Sequence, residues 1–343
     1  MLDLLTERQG VWGPGRYRVA VVTVQFPDAV EVLPAGWGAR TIAEADAYFR
    51  EASGGAVRWA AADEEALIVR LRRPATWWRL QRRSLNDRVR FWKRITARLS
   101  PAADALLVVV PSRVPLRGCF AIGPRWHSPR LGQALQGLGE QFYRGAVVKP
   151  DTPWGTIVHE LGHVLGLPDL YDYEDGRAFP RTPARASRYV GPWDLMSRVP
   201  AGAGGRPLPM AWTRALAGWV DPVPWTVEQE RYGLGAGAAG PVVRAPLRPG
   251  VSMFVEARHR IGFDSSLSAE GVLISIADDA IAEGRGPLRL LSPSRGTPSR
   301  RRRGGLMPLA EAAFQVGEAV EVEGYRVHVV ARLPHGFEVA ITR

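Results

Sequence analysis

His159-Glu160-Leu161-Gly162-His163-Val164-Leu165-Gly166-Leu167-Pro168-Asp169 decides how this chain is read. Two histidines four residues apart fall on one face of a helix, about a turn from each other. Both imidazoles can then bind one Zn²⁺, with Zn–N at roughly 2.0–2.1 Å. Glu160 adjoins the first ligand and points to the metal's open side, where a carboxylate takes a proton from water. Gly166 adopts φ > 0 at no steric cost, so it ends the helix and turns the chain back. Asp169 then arrives as a third, oxygen ligand. Three protein ligands and one open position describe a catalytic zinc site, not a structural one.

A His-Glu-x-x-His string arises by chance in on the order of one chain in a hundred of this length, and a stray copy would lie on an exposed helix face. The flanks argue against an accident. Thr152-Pro153 reads as an N-cap and a first-turn proline. Trp154, Ile157, Val158, Leu161 and Leu165 form an apolar stripe at helical spacing. Metal face and core face belong to one helix.

Other residues near the motif compete for roles. Asp172, Glu174 and Asp175 follow Asp169, and a neighbouring carboxylate could replace it as ligand. The same three could bind Ca²⁺ through hard oxygen atoms, but they lack an EF-hand pattern and also read as a solvated acidic loop. Met196 by itself reads as buried core filler. Tyr171, Tyr173 and Tyr189 are candidates for stabilising the transition state. His127, His259, His328 and His335 have no partner at ligand spacing. Cys119 is the only cysteine, which excludes an intrachain disulfide and reads as a small buried hydrophobe.

The 343 residues are enough for a large core and two domains. Hydrophobic content of 46% and charged content of 23% are those of an ordinary soluble globular chain. No apolar run approaches the roughly 18 residues of a membrane span. Met1 to Arg8 lacks the basic region and apolar run of a signal peptide, which leaves either a processed or trimmed form or a protein that stays inside the cell, and no long propeptide is expected before the first strand. The net charge of +11 is almost all arginine, since Lys93 and Lys149 are the only lysines. A basic surface attracts acidic substrates, cell-wall polymers or nucleic acid. The run Arg300 to Arg303, within Ser292 to Gly305, has no aromatics interleaved and reads as a solvated loop, so no specific nucleic-acid binding is expected.

Tyr17 to Phe26 reads as a buried strand, and Thr41 as the cap of a helix ending near Ala52. Strands follow at Ala56 to Ala61 and Ala66 to Leu71. Ser84 caps a basic amphipathic helix, and Ala105 to Val110 reads as a central strand. Past Asp221-Pro222 the pattern turns to strands: Val242 to Leu247, Ser252 to Glu256, Val272 to Ile276, Ala319 to Val322, Tyr325 to Ala331 and Phe337 to Ile341. Gly233 to Pro241 reads as a connection. The division is 1–222 and 223–343.

The zinc motif resembles that of metzincin peptidases, with Asp169 where many of them have a third His. Val190-Gly191-Pro192-Trp193-Asp194-Leu195-Met196-Ser197 resembles their Met-turn, which implies that Met196 floors the site. Together with Leu167-Pro168-Asp169-Leu170-Tyr171-Asp172, it is similar to the immune inhibitor A family of secreted bacterial metallopeptidases. Val22 to Asp28 resembles that family's opening strand. Ala211-Trp212 through Trp219-Val220 resembles the close of its catalytic domain. Phe254 to Arg258, Gly262 to Asp264 and Gly271 to Ile274 resemble its β-rich extension.

The resemblance implies an α+β fold, a metzincin-like catalytic domain with a mixed sheet and active-site helix, followed by a mostly antiparallel β-domain. It also implies secretion, and an edge strand within Gly118 to Val148 bordering the substrate cleft. The expected activity is a zinc endopeptidase acting on a protein or peptide, with metal ligands His159, His163 and Asp169 and Glu160 as general base and acid. A monomer is favoured. The alternatives are a non-catalytic zinc-containing protein that binds an anionic polymer or protein partner, and a zinc hydrolase of non-peptide amides.

Overall fold

The structure is a computed structural model that describes residues 11–63, 65–82, 84–99, 102–123, 144–173, 186–198, 206–235, 237–238, 240–293 and 309–343. His127, Glu174, Asp175 and Arg300 to Arg303 lie outside the described residues. The fold is α+β, with mixed and antiparallel sheets and few helices. By contacts, residues 11–50 join Gly55–Leu167 in one compact unit, and Pro168–Arg343 joins Glu51–Gly54 in a second. Residues 168–222, read from sequence with the catalytic part, group here with the β-rich part.

The first unit is built on β1 (Gly15–Gln25), whose run Val19 to Val24 is wholly buried. Its first half pairs in parallel with β2 (Val57–Ala61), and its second half with β3 (Leu67–Arg70). On its other side lies β4 (Ala105–Val109), every residue buried, as a central strand requires. The last two strands are β5 (Phe120–Ile122) and β6 (Gly145–Val148). The order is β2-β1-β4-β6-β5, parallel except for β5, which runs antiparallel along the edge. The expected edge strand is there.

Helices cover both faces of this sheet. Helix α1 (Trp37–Ala52) starts four residues before the expected cap. Thr41 therefore lies inside it, donating its hydroxyl to the Trp37 carbonyl at 2.8 Å instead of capping. Helix α2 (Leu85–Thr96) begins as expected, the Ser84 hydroxyl accepting from the Asp87 amide. Its Val89, Phe91, Trp92 and Ile95 share a core with Ala20, Val22, Leu106, Val108 and Val147. Side chains alternate along a strand, so Val19, Val21, Leu107 and Ala146 face the other way. Gly38 of α1 abuts Val21 on that opposite face. Tyr48 of α1 meets Trp154 edge-on at 5.8 Å, which places α3 (Trp154–Leu165) beside it.

In the second unit a short helix, α4 (Ala211–Leu216), precedes two sheets. One runs β12-β11-β10-β9-β7 through β7 (Val223–Pro224), β9 (Val243–Arg248), β10 (Val251–Arg258), β11 (Gly271–Asp278) and β12 (Leu288–Leu290). The other runs β13-β14-β15-β8 through β8 (Arg231–Gly235), β13 (Ala319–Val322), β14 (Tyr325–Leu333) and β15 (Gly336–Thr342). Pairing is antiparallel except between β7 and β9. Gly233 to Pro241 was expected to be a connection, but its start completes β8. Tyr232 and Leu234 are buried by pairing with β15, a long-range partner invisible to local pattern.

One close approach governs the first unit's packing. A Cβ on Gly145 would sit 2.3 Å from both the Leu106 carbonyl oxygen and the Trp92 ring. Gly145→Ala is expected to cost about 3 kcal/mol through overpacking. The check is a lower denaturant midpoint with an unchanged slope.

Candidate metal centre

Helix α3 carries both histidines, and its ends explain their position. Pro153 occupies the N-cap position, with no side-chain hydrogen bond there. Thr152, expected as the cap, instead accepts the Lys149 amide at 2.8 Å. Ile157, Val158, Leu161, Val164 and Leu165 are buried, as the apolar stripe required. Gly166 closes the helix in the left-handed region at φ 98°. The freed carbonyls find donors: Leu167 N–H bonds Gly162 O at 3.0 Å, and Trp12 N–H bonds Leu165 O at 2.8 Å. Arg144 donates to Val164 O at 3.1 Å, its charge suited to a helix C-terminus.

The turn at Gly166 brings Asp169 back to the histidines. One ligand atom each from His159, His163 and Asp169 lies within 4.8 Å of the others, a group that can hold a metal ion. His159 and Asp169 are buried, and the two imidazole rings stand nearly perpendicular with centroids 4.8 Å apart. Nδ1 of His163 is 2.8 Å from Leu167 O. That contact fixes Nδ1 as the protonated nitrogen and leaves Nε2 as the atom that could bind a metal. Two imidazoles and a carboxylate, nearly dry and with an oriented ring, fit a borderline divalent cation.

Glu160 is buried beside His159. Its charge reaches Cys119, whose thiol is pushed up to about 11, first by burial and then by Glu160. Cys119 lies 3.5 Å from the Thr152 hydroxyl and is not part of the group of His159, His163 and Asp169. Asp172 is spent elsewhere: Arg188 pairs with it at 3.0 Å and the Tyr189 hydroxyl lies 3.4 Å away. Among the other described histidines, His259 packs against Phe337 with ring centroids 5.3 Å apart and planes tilted by 45°.

Tyr173 separates from the other tyrosine candidates. Its hydroxyl donates to Oδ2 of Asp169. Burial, then the Asp169 charge, hold this phenol well above its ordinary pKa, so it remains a donor. The connection between β11 and β12 secures the same loop from the far end of the chain. Gly284 N–H bonds Asp169 O at 3.3 Å, and Tyr173 N–H bonds Gly284 O at 2.9 Å. Gly284 has φ 71°, and a Cβ there would fall 2.2 Å from the Tyr173 ring. Sequence reading named Tyr173 but missed Gly284, whose signal is only a glycine in a loop.

Met196 is fully buried, and its carbonyl accepts the Leu170 amide at 3.0 Å, just after Asp169. Asp194 fixes its turn. This fully buried carboxylate accepts from the Met196 and Met210 amides at 2.7 and 2.6 Å and from the Thr213 hydroxyl at 2.8 Å. Burial still pushes its pKa up to about 6, against those donors and Arg258. Arg258 makes a bidentate pair with Asp264 at 2.6 and 2.7 Å and donates to the carbonyls of Trp193 and Leu208. Arg214 pairs with Glu256 at 2.9 Å. The signal for this network was Glu256 and Arg258 inside an otherwise apolar strand.

Two outcomes follow from this geometry. Tyr173→Phe and Gly284→Ala should each weaken metal affinity by roughly 10–100-fold, the usual effect of losing an outer-sphere partner. Competition with a coloured chelator measures it, and an unchanged affinity in both variants would separate the clamp from the metal. Arg258→Leu leaves Asp264 buried and unpaired, and should lower unfolding free energy by about 3–5 kcal/mol. Equilibrium denaturation reads that loss.

No protein family and no curated protein matches the chain. One solved structure to which it is similar is "catalytic inactive OgpA from Akkermansia muciniphila in complex with an O-glycopeptide (glycodrosocin) substrate". The identity is 11% and the TM-score 0.30, over 84% of this chain and 95% of that one. At that level the reading of the site rests on its own residues.

Proposed function

We propose that the chain is a zinc-dependent endopeptidase of the immune inhibitor A-like, metzincin kind, its peptidase part spanning 1–222 and its β-domain 223–343. The observation that carries this reading is the convergence of His159, His163 and Asp169, with Glu160 buried beside them. His159, His163 and Asp169 would hold the ion, leaving a coordination position open to water and substrate. When bound, Zn²⁺ supplies Lewis acidity, drawing the pKa of water toward about 7 and polarising a carbonyl.

The chain's own groups do the rest. Glu160 takes the proton of the attacking water on its carboxylate and hands it to the leaving amine nitrogen as the C–N bond breaks. Tyr173 keeps the Asp169 carboxylate from rotating, and Gly284 holds the backbone of the same loop. Asp194 holds the turn that carries Met196. Among the described residues, β5 pairs only with β6, so its outer edge can take an extended peptide by strand addition. Gly123, just past β5, packs closely on α3: a Cβ on it would lie 2.4 Å from the His163 carbonyl oxygen.

The test is metal analysis coupled to cleavage of an unstructured protein. Glu160→Ala should abolish hydrolysis, by several orders of magnitude, while zinc stoichiometry stays near one. His159→Ala and His163→Ala should lose the metal itself. Asp169→Asn should weaken metal binding, and Asp172→Asn should leave it intact. A wild-type protein that binds zinc yet cleaves no peptide would move the reading to a non-catalytic binding protein.

A further inference from the structure

The chain's positive charge is concentrated in one segment. Between Arg70 and Arg98 stand eleven arginines and lysines and a single carboxylate, Asp87, an excess that nearly equals the +11 of the whole chain. The rest of the chain is close to neutral. In space this segment is the 3-10 turn Ala75–Trp78 followed by α2, which covers one face of the first unit's sheet. Helix α3, with the two histidines, belongs to the opposite face, beside α1. The charge therefore lies away from the metal ligands, with the sheet in between.

The surface is shaped as well as charged. A depression of about 500 Å³ is lined by Arg72, Arg73, Arg90, Lys93 and Arg94 around Trp77, which is 41% exposed. The guanidinium carbons of Arg90 and Arg73 lie 4.6 and 5.5 Å from the centroid of the Trp77 ring. Trp78 meets Trp77 edge-on at 4.8 Å and anchors it in the core. Arg90, Lys93 and Arg94 share one side of α2 by their spacing. Arg98 loses proton affinity through burial and then through repulsion from Arg94 and Arg72, so the cluster is held together against like charge. Asp87 pairs with Arg90 at 3.1 Å.

We infer that this depression binds single-stranded nucleic acid without regard to sequence. A groove of cations follows a phosphodiester backbone, and an indole among guanidinium planes offers flat surfaces for bases. The other anionic partners fit less well. A bilayer is met by a protruding apolar group, whereas Trp77 sits in a depression. An acidic polypeptide uses the charges but not the aromatic platform. The proposal is independent of the zinc reading.

The experiment is fluorescence anisotropy of a labelled 20-nucleotide oligothymidylate with the full chain across a salt series. Binding should weaken steeply with salt, its logarithmic slope about −0.7 for each phosphate neutralised. The triple variant R73E/R90E/R94E should bind at least tenfold more weakly with a shallower slope and unchanged metal content. W77A should lose about tenfold in affinity with little change in slope. R94E alone, at an exposed position, keeps the test valid should W77A fail to fold. Replacing Arg300 to Arg303 by serine should leave affinity within twofold. Equal loss there would reduce the effect to net charge and overturn the site. Equal or tighter binding to anionic phospholipid vesicles or polyglutamate at the same salt would overturn nucleic acid as the occupant.

Discussion

The centre of this protein depends on a chain reversal at Gly166. Two imidazoles one turn apart supply half of a metal site at most, and the missing oxygen ligand must come from outside the helix. A left-handed residue immediately after α3 sends the backbone back over its own last turn, with φ 98° at Gly166. Any side chain there would strain that conformation. The same reversal places Leu167 O against Nδ1 of His163 and thereby chooses the nitrogen left for the metal. Helix end, ring tautomer and third candidate ligand thus share one backbone event.

What holds the returning segment is buried charge. Asp194 gathers the Met196 and Met210 amides and the Thr213 hydroxyl. Arg258 bridges Asp264 to the carbonyls on either side of that turn, and Glu256 binds both Arg214 and the Ala211 amide. A loop with little regular structure cannot satisfy its own buried amides and carbonyls, so side chains from β10 and α4 do so. Such a network is costly to desolvate and costlier to break, which suits a segment that must keep one shape. The clamp of Tyr173 and Gly284 on Asp169 extends the same logic to the ligand itself.

Much of this was legible in the sequence because it is local. Helix periodicity, the i and i+4 histidines, the glycine stop and the Ser84 cap depend on interactions within a few residues, and all reappear in the structure. The central position of β4 followed from its unbroken apolar run. Local signals also misled where they were ambiguous. Thr41 and Thr152 each looked like a cap, yet one bonds back into its helix and the other serves a preceding turn. A threonine hydroxyl has several backbone partners within reach, and sequence does not rank them.

The sequence by itself determined the candidate donor set, its helix and the alternation of strand types, since each is written in spacing or in side-chain chemistry. Only the tertiary structure decided how the neighbours of Asp169 are used: Tyr173 holds Asp169, while Asp172 goes to Arg188. It also decided that Gly284 touches the loop of Asp169, that β8 completes a sheet with β15, and that the arginines of α2 meet around Trp77. These are pairings between residues distant along the chain. Their partners are selected by packing and by the need to satisfy every buried polar group, and neither constraint leaves a local pattern.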